Sequence, residues 1–248
     1  ILHEDYLNNL AKYKAVILPY LFKLTPSAVS KLKEYVSNGG LLIAGPMTCE
    51  YDERLMVSVT SPGMGLHEVF GAIRKTAESV AECAIHFKDL TILGRDYLET
   101  YVVTTGEVIG IAEVANKLLP AAVLNNYGWG RAVLIGTNIA TDFNSLDKIK
   151  EANGNAQMGQ YGGYADNQRF LLKTLREHGV MPQAEVDVPG IEVNRLKIEE
   201  GEIIIVINHN SEDKSIRVRV PYCICGLKDL DGKEVTFDGD IMTTQVEA

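Results

Sequence analysis

Residues 14–44 read KAVILPYLFKLTPSAVSKLKEYVSNGGLLIA, and this stretch decides the fold. Ala15-Val16-Ile17-Leu18 is apolar without alternation, as in a strand covered by helices on both faces. Pro19-Tyr20 marks its exit. Thr25-Pro26 then starts a helix, with threonine as N-cap and a proline where no N–H is needed. Inside it Ala28, Val29, Leu32, Tyr35 and Val36 recur at helical spacing, so one face is apolar. Gly39-Gly40 end the helix, most simply with a left-handed glycine. Leu41-Leu42-Ile43-Ala44 make the next strand. A strand, a helix and a strand on short links call for a right-handed crossover and a doubly wound α/β sheet.

On the N-terminal side, residues 5–12 predict a short helix with Asp5 as cap and Leu7, Leu10 and Ala11 inward. On the C-terminal side, residues 45–64 form a long loop rich in turn formers, and Leu66 to Phe70 a short helix ended by Gly71. Segments 82–87, 91–93, 98–103 and 107–114 are short, β-branched and separated by turns, hence strands with hairpins. Residues 121–124 and 132–135, separated by Asn126-Tyr127-Gly128-Trp129-Gly130, give a hairpin. Residues 141–164 are polar and glycine-rich, and predict a long exposed excursion. Ala165 to His178 is a helix with Phe170, Leu171, Leu172 and Leu175 apolar, ended by Gly179. Past Pro182, six short strands are expected near 191–198, 202–208, 215–220, 224–230, 233–237 and 241–246. The chain thus divides into an α/β domain, residues 1–184, and a small antiparallel β domain, residues 185–248.

The 248 residues carry a formal net charge of −9, which argues against a nucleic-acid partner needing a basic stripe. No stretch reaches the roughly 18 apolar residues that span a membrane. Cys49, Cys83, Cys223 and Cys225 contain no C-x-x-C pair, and Cys223 and Cys225 fall on one face of an expected strand. They read as ordinary buried or half-buried thiols of a non-disulfide scaffold, which leaves the compartment undecided with the cytoplasm favoured.

Nucleophilic catalysis on such a sheet needs a strand-to-helix elbow of the G-x-S-x-G kind. Ala44-Gly45-Pro46-Met47-Thr48-Cys49-Glu50 does not match it, and His67, His86 and His178 are too scattered to nominate a base. Asn126-Tyr127-Gly128-Trp129-Gly130 is flanked by strands, so it reads as a hairpin turn and not a phosphate cradle. No catalytic residue, cofactor site or metal site is assigned. Glu50, Asp52 and Glu53 lie beyond a strand's carboxyl end, where open sheets bind ligands. They read as a solvated or intersubunit salt-bridging face, as a loop reaching a ligand pocket, or as catalytic carboxylates. Asn208 and His209 fit a strand-end turn. Tyr161 and Tyr164, with Gly162-Gly163, read as a tyrosine-anchored loop, as a lid or as a sugar-stacking edge.

LNNLAKYKAVILPY from Leu7, LKEYVSNGGLLIA from Leu32, CEYDE from Cys49, PAAVLNNYGWGRAVLIGT from Pro120 and FLLKTLREHGV from Phe170 together resemble the C-terminal half of family 42 glycoside hydrolases, the β-galactosidases. The resemblance covers nearly the whole chain through the order and spacing of these pieces. It implies a flavodoxin-like, class I glutamine amidotransferase-like trimerisation domain followed by a small β domain. In that family a catalytic (β/α)8 barrel comes first and holds both catalytic glutamates, so no glutamate here inherits those roles. A strand and a helix would also precede this chain, making Ile1-Leu2 the tail of a strand and leaving the sheet with an open edge. Asp52-Glu53 match a D-E pair on a loop that walls a neighbouring subunit's active site. The approach to that pair, Pro46-Met47-Thr48-Cys49, departs from the family pattern.

The expected role is therefore non-catalytic: assembly, as a trimer before a dimer, and shaping the rim of a galactoside site shared with the barrel. The alternatives are a stand-alone amidotransferase-like enzyme and a carbohydrate-binding or regulatory module.

Overall fold

The computed structural model describes residues 4–138 and 164–247, apart from positions 183, 187, 189 and 200. The chain divides into two compact units, Ile1–Val180 and Met181–Ala248. The expectations for Ile1-Leu2, for residues 141–163 including Tyr161 and Gly162-Gly163, and for the Tyr164 side chain fall outside the described residues.

Unit one opens with a 3-10 helix, Glu4–Lys12, kinked at Asn9. Leu10 is buried and Leu7 packs beside it, but Ala11 faces solvent, contrary to expectation. With three residues per turn, positions 7 and 10 share a face and position 11 does not. Strand β1 (Ala15–Leu18) pairs in parallel with β2 (Leu41–Ala44). Helix α1 (Pro26–Ser37) joins them, its N-terminus capped by the Thr25 hydroxyl, which accepts from the Ala28 N–H at 3.2 Å. Gly39 adopts φ +107° beyond its end, the left-handed glycine expected there. The neighbouring Gly40 lies under the Tyr35 ring, where a Cβ would come within 2.3 Å of ring carbon.

Helix α2 (Leu66–Phe70) is followed by β3 (Ala72–His86), β4 (Thr91–Val103), β5 (Glu107–Val114), β6 (Lys117–Tyr127), β7 (Gly130–Ile135), β8 (Thr137–Asn138) and α3 (Tyr164–Glu177). The sheet order is β1-β2-β7-β6-β5-β3-β4-β8. Strands β1, β2 and β7 run parallel and the remaining pairings are antiparallel. Alternate residues of the central strands feed two cores. Leu42, Ala44, Ala132 and Leu134 pack with α1 and α2, while Leu41, Ile43, Val133 and Ile135 join the cluster that contains Phe170 of α3. Helices on both faces make this an open, doubly wound sheet of flavodoxin-like type. Each buried Leu, Ile or Val contributes about 1.5–3 kcal/mol.

Two local expectations change. Strand β1 is not covered on both faces: it is the sheet edge, and Ile17 is 44% exposed. The segments read as 82–87, 91–93 and 98–103 are parts of one long hairpin, β3–β4. Much of β3 is exposed or half-buried on both faces, so backbone pairing continues where hydrophobic alternation is absent. The β6–β7 turn is a hairpin as read, with Gly128 at φ +61° in a two-residue loop.

Unit two contains β9 (Glu185–Val186), β10 (Ile191–Ile198), β11 (Gly201–Asn208), β12 (Lys214–Arg219), β13 (Thr236–Asp238) and β14 (Ile241–Val246). Its sheets, β10-β11 and β13-β14-β12-β9, are antiparallel and enclose Ile216, Val218 and Met242. Residues 224–230 are not a strand. Ile224 and Leu227 turn into the core whereas Leu230 is fully exposed, so these apolar residues do not share one strand face. Cys223 and Cys225 accordingly sit in irregular chain and are exposed, not buried or half-buried as expected. Asn208 and His209 occupy a strand-end turn, where the Asn208 carboxamide oxygen accepts from the Asn210 N–H at 2.9 Å. His209 lies 2.9 Å from Glu192.

Candidate functional site

The carboxyl ends of β1 and β2 carry the most organised polar structure in unit one. Leaving β2, the chain passes so close to Pro19 that a Cβ on Gly45 would sit 2.2 Å from its carbonyl oxygen. The Thr48 hydroxyl donates to the Gly45 carbonyl at 2.9 Å, and Met47 and Cys49 adopt φ of 56° and 54°. The Cys49 and Tyr51 N–H groups then donate to the Leu21 and Phe22 carbonyls, both at 2.9 Å. Two stretches without regular structure are thereby zipped side by side.

Glu50 leaves this turn pointing inward. Arg74 of β3 grips it with both terminal guanidinium nitrogens, Nη1 and Nη2, at 2.5 and 2.7 Å. The same guanidinium donates to Glu99 of β4 at 3.2 Å. Glu99 also accepts from the Met47 N–H and from the Tyr101 hydroxyl, each at 3.1 Å. The Arg74 N–H closes the far end of the loop on the Ser61 carbonyl at 2.6 Å. One arginine thus ties both ends of the 45–61 loop to the sheet. The Glu99 side chain is only 2% exposed and that of Glu50 10%.

Burial pushes the Glu99 carboxyl above the usual carboxylate range, against the opposing pull of the Met47 N–H, Arg74 and Tyr101. Burial alone would lower the Arg74 value, but the Glu50 and Glu99 carboxylates outweigh it and the guanidinium stays charged. Burial, then the Glu99 charge, raises the Tyr101 phenol well above its ordinary value.

A pH dependence follows from Glu99. A carboxyl whose folded pKa is raised supplies stability that is complete below its unfolded value, about 4.3, and is lost as pH rises through the folded value. The stability difference between the native chain and Glu99→Gln should therefore shrink as pH rises from 4 towards neutrality. Urea unfolding across that range measures it, and a difference that widens with pH would contradict the burial assignment.

The structure separates the three carboxylates of the sequence reading. Glu50 is a buried ion-pair partner. The Asp52 carboxylate accepts from the Arg54 and Met56 N–H groups at 2.8 and 2.9 Å, holding its own turn. Glu53 is exposed. Arg74, Glu99 and Tyr101 were absent from that reading. The available signal was a glutamate within 98–103, a run otherwise apolar enough to be buried, because a charge there needs a partner.

Around this cluster the surface is apolar. Leu55, Met56, Val57 and Val59 are 61–104% exposed, and Tyr20, Leu21 and Phe22 stand across from them. Bridges from Tyr51 to Val57 and to Lys23 make the two groups lateral neighbours. The Phe22 ring meets those of Tyr20 and Tyr51 edge-on, at 6.3 and 6.2 Å.

Cys49 has none of the features of a nucleophile. It is completely buried, burial pushes its thiol up to about 11, and only a hydrogen bond with the Leu24 backbone opposes this. A reactive cysteine needs an accessible thiolate. Among the described residues no group of three His, Cys, Asp or Glu side chains could hold a metal ion. No described helix is long and apolar enough to cross a membrane.

An open α/β sheet with helices on both faces and a charged latch at the carboxyl ends of its parallel strands defines a domain of the flavodoxin-like class. Residues 3–155 match the family model described as the β-galactosidase trimerisation domain, and the chain belongs to that family. It is 26% identical over 236 residues to the β-galactosidase BgaB of Geobacillus sp. (strain Y412MC61), covering 91% of this chain and 30% of that protein. Among solved structures it is similar to Gan42B, a GH42 β-galactosidase of G. stearothermophilus, with a TM-score of 0.73 and 18% identity over 99% of this chain and 33% of the other. The β-galactosidase of Bacillus circulans sp. alkalophilus gives a TM-score of 0.72 and 19% identity, over 97% of this chain and 34% of that one. The chain spans about a third of the length of these relatives.

Proposed function

We propose that this chain is the assembly and rim-forming part of a β-galactosidase-like glycoside hydrolase, in which a separate (β/α)8 barrel does the chemistry. The observation that carries this reading is the apolar surface at Tyr20–Phe22 and Leu55–Val59, fixed in place by the buried Glu50–Arg74–Glu99 cluster. Contiguous exposed apolar surface marks an interaction site, and a buried charged latch fixes its shape. The copies assemble as a trimer, each presenting the same patch to a different patch on its neighbour, as a closed ring requires. Asp52 and Glu53, on the same loop, face the shared rim where a galactoside would enter.

Light scattering at several protein concentrations tests the assembly. The native chain is expected at three times the mass of one copy. Leu55→Asp combined with Val57→Asp should give the single-chain mass with an unchanged circular-dichroism spectrum, because both residues are exposed in the single chain. A native chain fixed at 27.3 kDa throughout would reject the assembly role. The rim role is read separately: Asp52→Ala with Glu53→Ala in the barrel-bearing enzyme should lower kcat/KM at unchanged mass.

A further inference from the structure

Tyr222-Cys223-Ile224-Cys225-Gly226 lies in irregular chain between β12 and β13 of unit two. Ile224 packs against the core of that unit, whereas the cysteines on either side of it are exposed. This alternation puts residues i and i+2 on one side of an extended chain, here the side that meets water. We propose that Cys223 and Cys225 form a reversible dithiol–disulfide site, oxidised by low-molecular-weight disulfides of the glutathione type.

The spacing allows the bond. Two residue steps span at most about 7 Å between Cα atoms, and a disulfide needs about 4.4–6.8 Å. A regular strand would hold the pair near the upper limit, with both Cβ atoms standing out of the sheet. Among the described residues no strand pairing includes either cysteine, so no ladder keeps them at that separation. The chain is nevertheless anchored around them. The Val220 and Ile224 N–H groups donate to the Asp240 and Gly239 carbonyls at 2.9 and 2.8 Å, and the Leu227 carbonyl accepts from the Val235 N–H at 3.1 Å. Gly226 has nothing within 4 Å of where a Cβ would stand, so the chain beyond Cys225 has room to shift. The anchors keep the two thiols together and the irregular backbone lets them approach.

The other two cysteines do not compete. Cys49 is completely buried, with its thiol pushed up to about 11, and the half-buried Cys83 sulfur lies 3.1 Å from the Thr137 hydroxyl. Neither exposed sulfur has a hydrogen-bond partner among the described residues. Access of the attacking sulfur governs thiol–disulfide exchange. One of the two thiols, as thiolate, attacks a sulfur of oxidised glutathione, forming a mixed disulfide and expelling one glutathione thiolate. The second protein thiolate attacks the protein sulfur of that adduct and expels the other glutathione. Two protein thiols are oxidised, one glutathione disulfide is reduced, and the two protons end on the glutathione thiols. A neighbouring resolving cysteine makes the first adduct transient. A ring closed over so few residues gains little from loop closure, so excess thiol reopens it.

The test is mass spectrometry of the full chain after incubation with oxidised glutathione and digestion with trypsin without reduction. Val220–Lys228 is one tryptic peptide and contains both cysteines. It is expected to be lighter by two hydrogens and free of glutathione, and dithiothreitol should restore its mass. Cys223→Ser and Cys225→Ser should each retain one glutathione on the remaining cysteine. Both positions are exposed, and an unchanged circular-dichroism spectrum verifies that the variants fold. A peptide that carries two glutathiones, keeps both thiols free or is joined to a second chain would overturn the proposal. The readout is confined to this peptide and is independent of the mass that tests assembly.

Discussion

Replacing Arg74 by methionine is expected to lower the stability of the α/β unit by about 3–5 kcal/mol, the range for removing one partner of a buried ion pair. Methionine fills a similar volume but leaves two carboxylates facing each other out of water. Glu99 is the more deeply buried of the two, but it keeps the Met47 N–H and the Tyr101 hydroxyl as donors. Protonation of Glu99 offers partial relief, so the defect should be smaller at pH 5 than at pH 8. Replacing Arg74, Glu50 and Glu99 together with apolar residues of similar volume should recover most of the loss, since a dry core avoids the desolvation of all three charges. Urea unfolding followed by circular dichroism measures these differences. A loss below about 1 kcal/mol for Arg74→Met would place this pair with surface salt bridges and remove the latch from the account of the loop.

Gly71→Val is expected to be equally damaging for a different reason. Gly71 ends α2 at φ +64°, and its carbonyl accepts from the N–H groups of Thr104, Thr105 and Gly106 at 2.8, 3.3 and 3.1 Å. A Cβ there would stand 2.4 Å from the Gly106 nitrogen and 2.6 Å from the Asn125 side chain. Asn125 cannot easily withdraw, because its carboxamide donates to the Glu68 and Val69 carbonyls at 3.2 and 2.9 Å. A β-branched residue at positive φ costs about 1–3 kcal/mol, and forcing atoms into a filled site about 1–3 more. A melting temperature within a few degrees of native would show that the β4–β5 turn yields more readily than its hydrogen bonds imply.

Where the sequence was legible, the determinant was local. Thr25-Pro26, the spacing from Ala28 to Val36 and the glycine at 39 define α1, because capping and left-handed backbone are decided within a few residues. The same holds for α2 with Gly71, for the span of β5 and for the β6–β7 turn. The β3–β4 hairpin was read as fragments because its strands continue into regions without a buried face, where only cross-strand hydrogen bonds specify them. Residues 224–230 failed in the opposite sense: they are apolar enough for a strand, but no neighbouring strand pairs with them as one.

The acidic triplet marks the boundary most clearly. Sequence alone placed Glu50, Asp52 and Glu53 in one loop after β2, and it determined that this loop follows a strand's carboxyl end. It could not divide them, because side chains two and three residues apart differ only in what they face. Tertiary structure turned Glu50 onto an arginine 24 residues away, closed Asp52 on its own turn and left Glu53 in water. It also decided that Leu55–Val59 stand exposed beside Tyr20–Phe22. Hydrophobic pattern fixes which residues avoid water within a strand or helix, whereas the partner of a buried charge is set by strand order and register, which bring Arg74 and Glu99 to the same place.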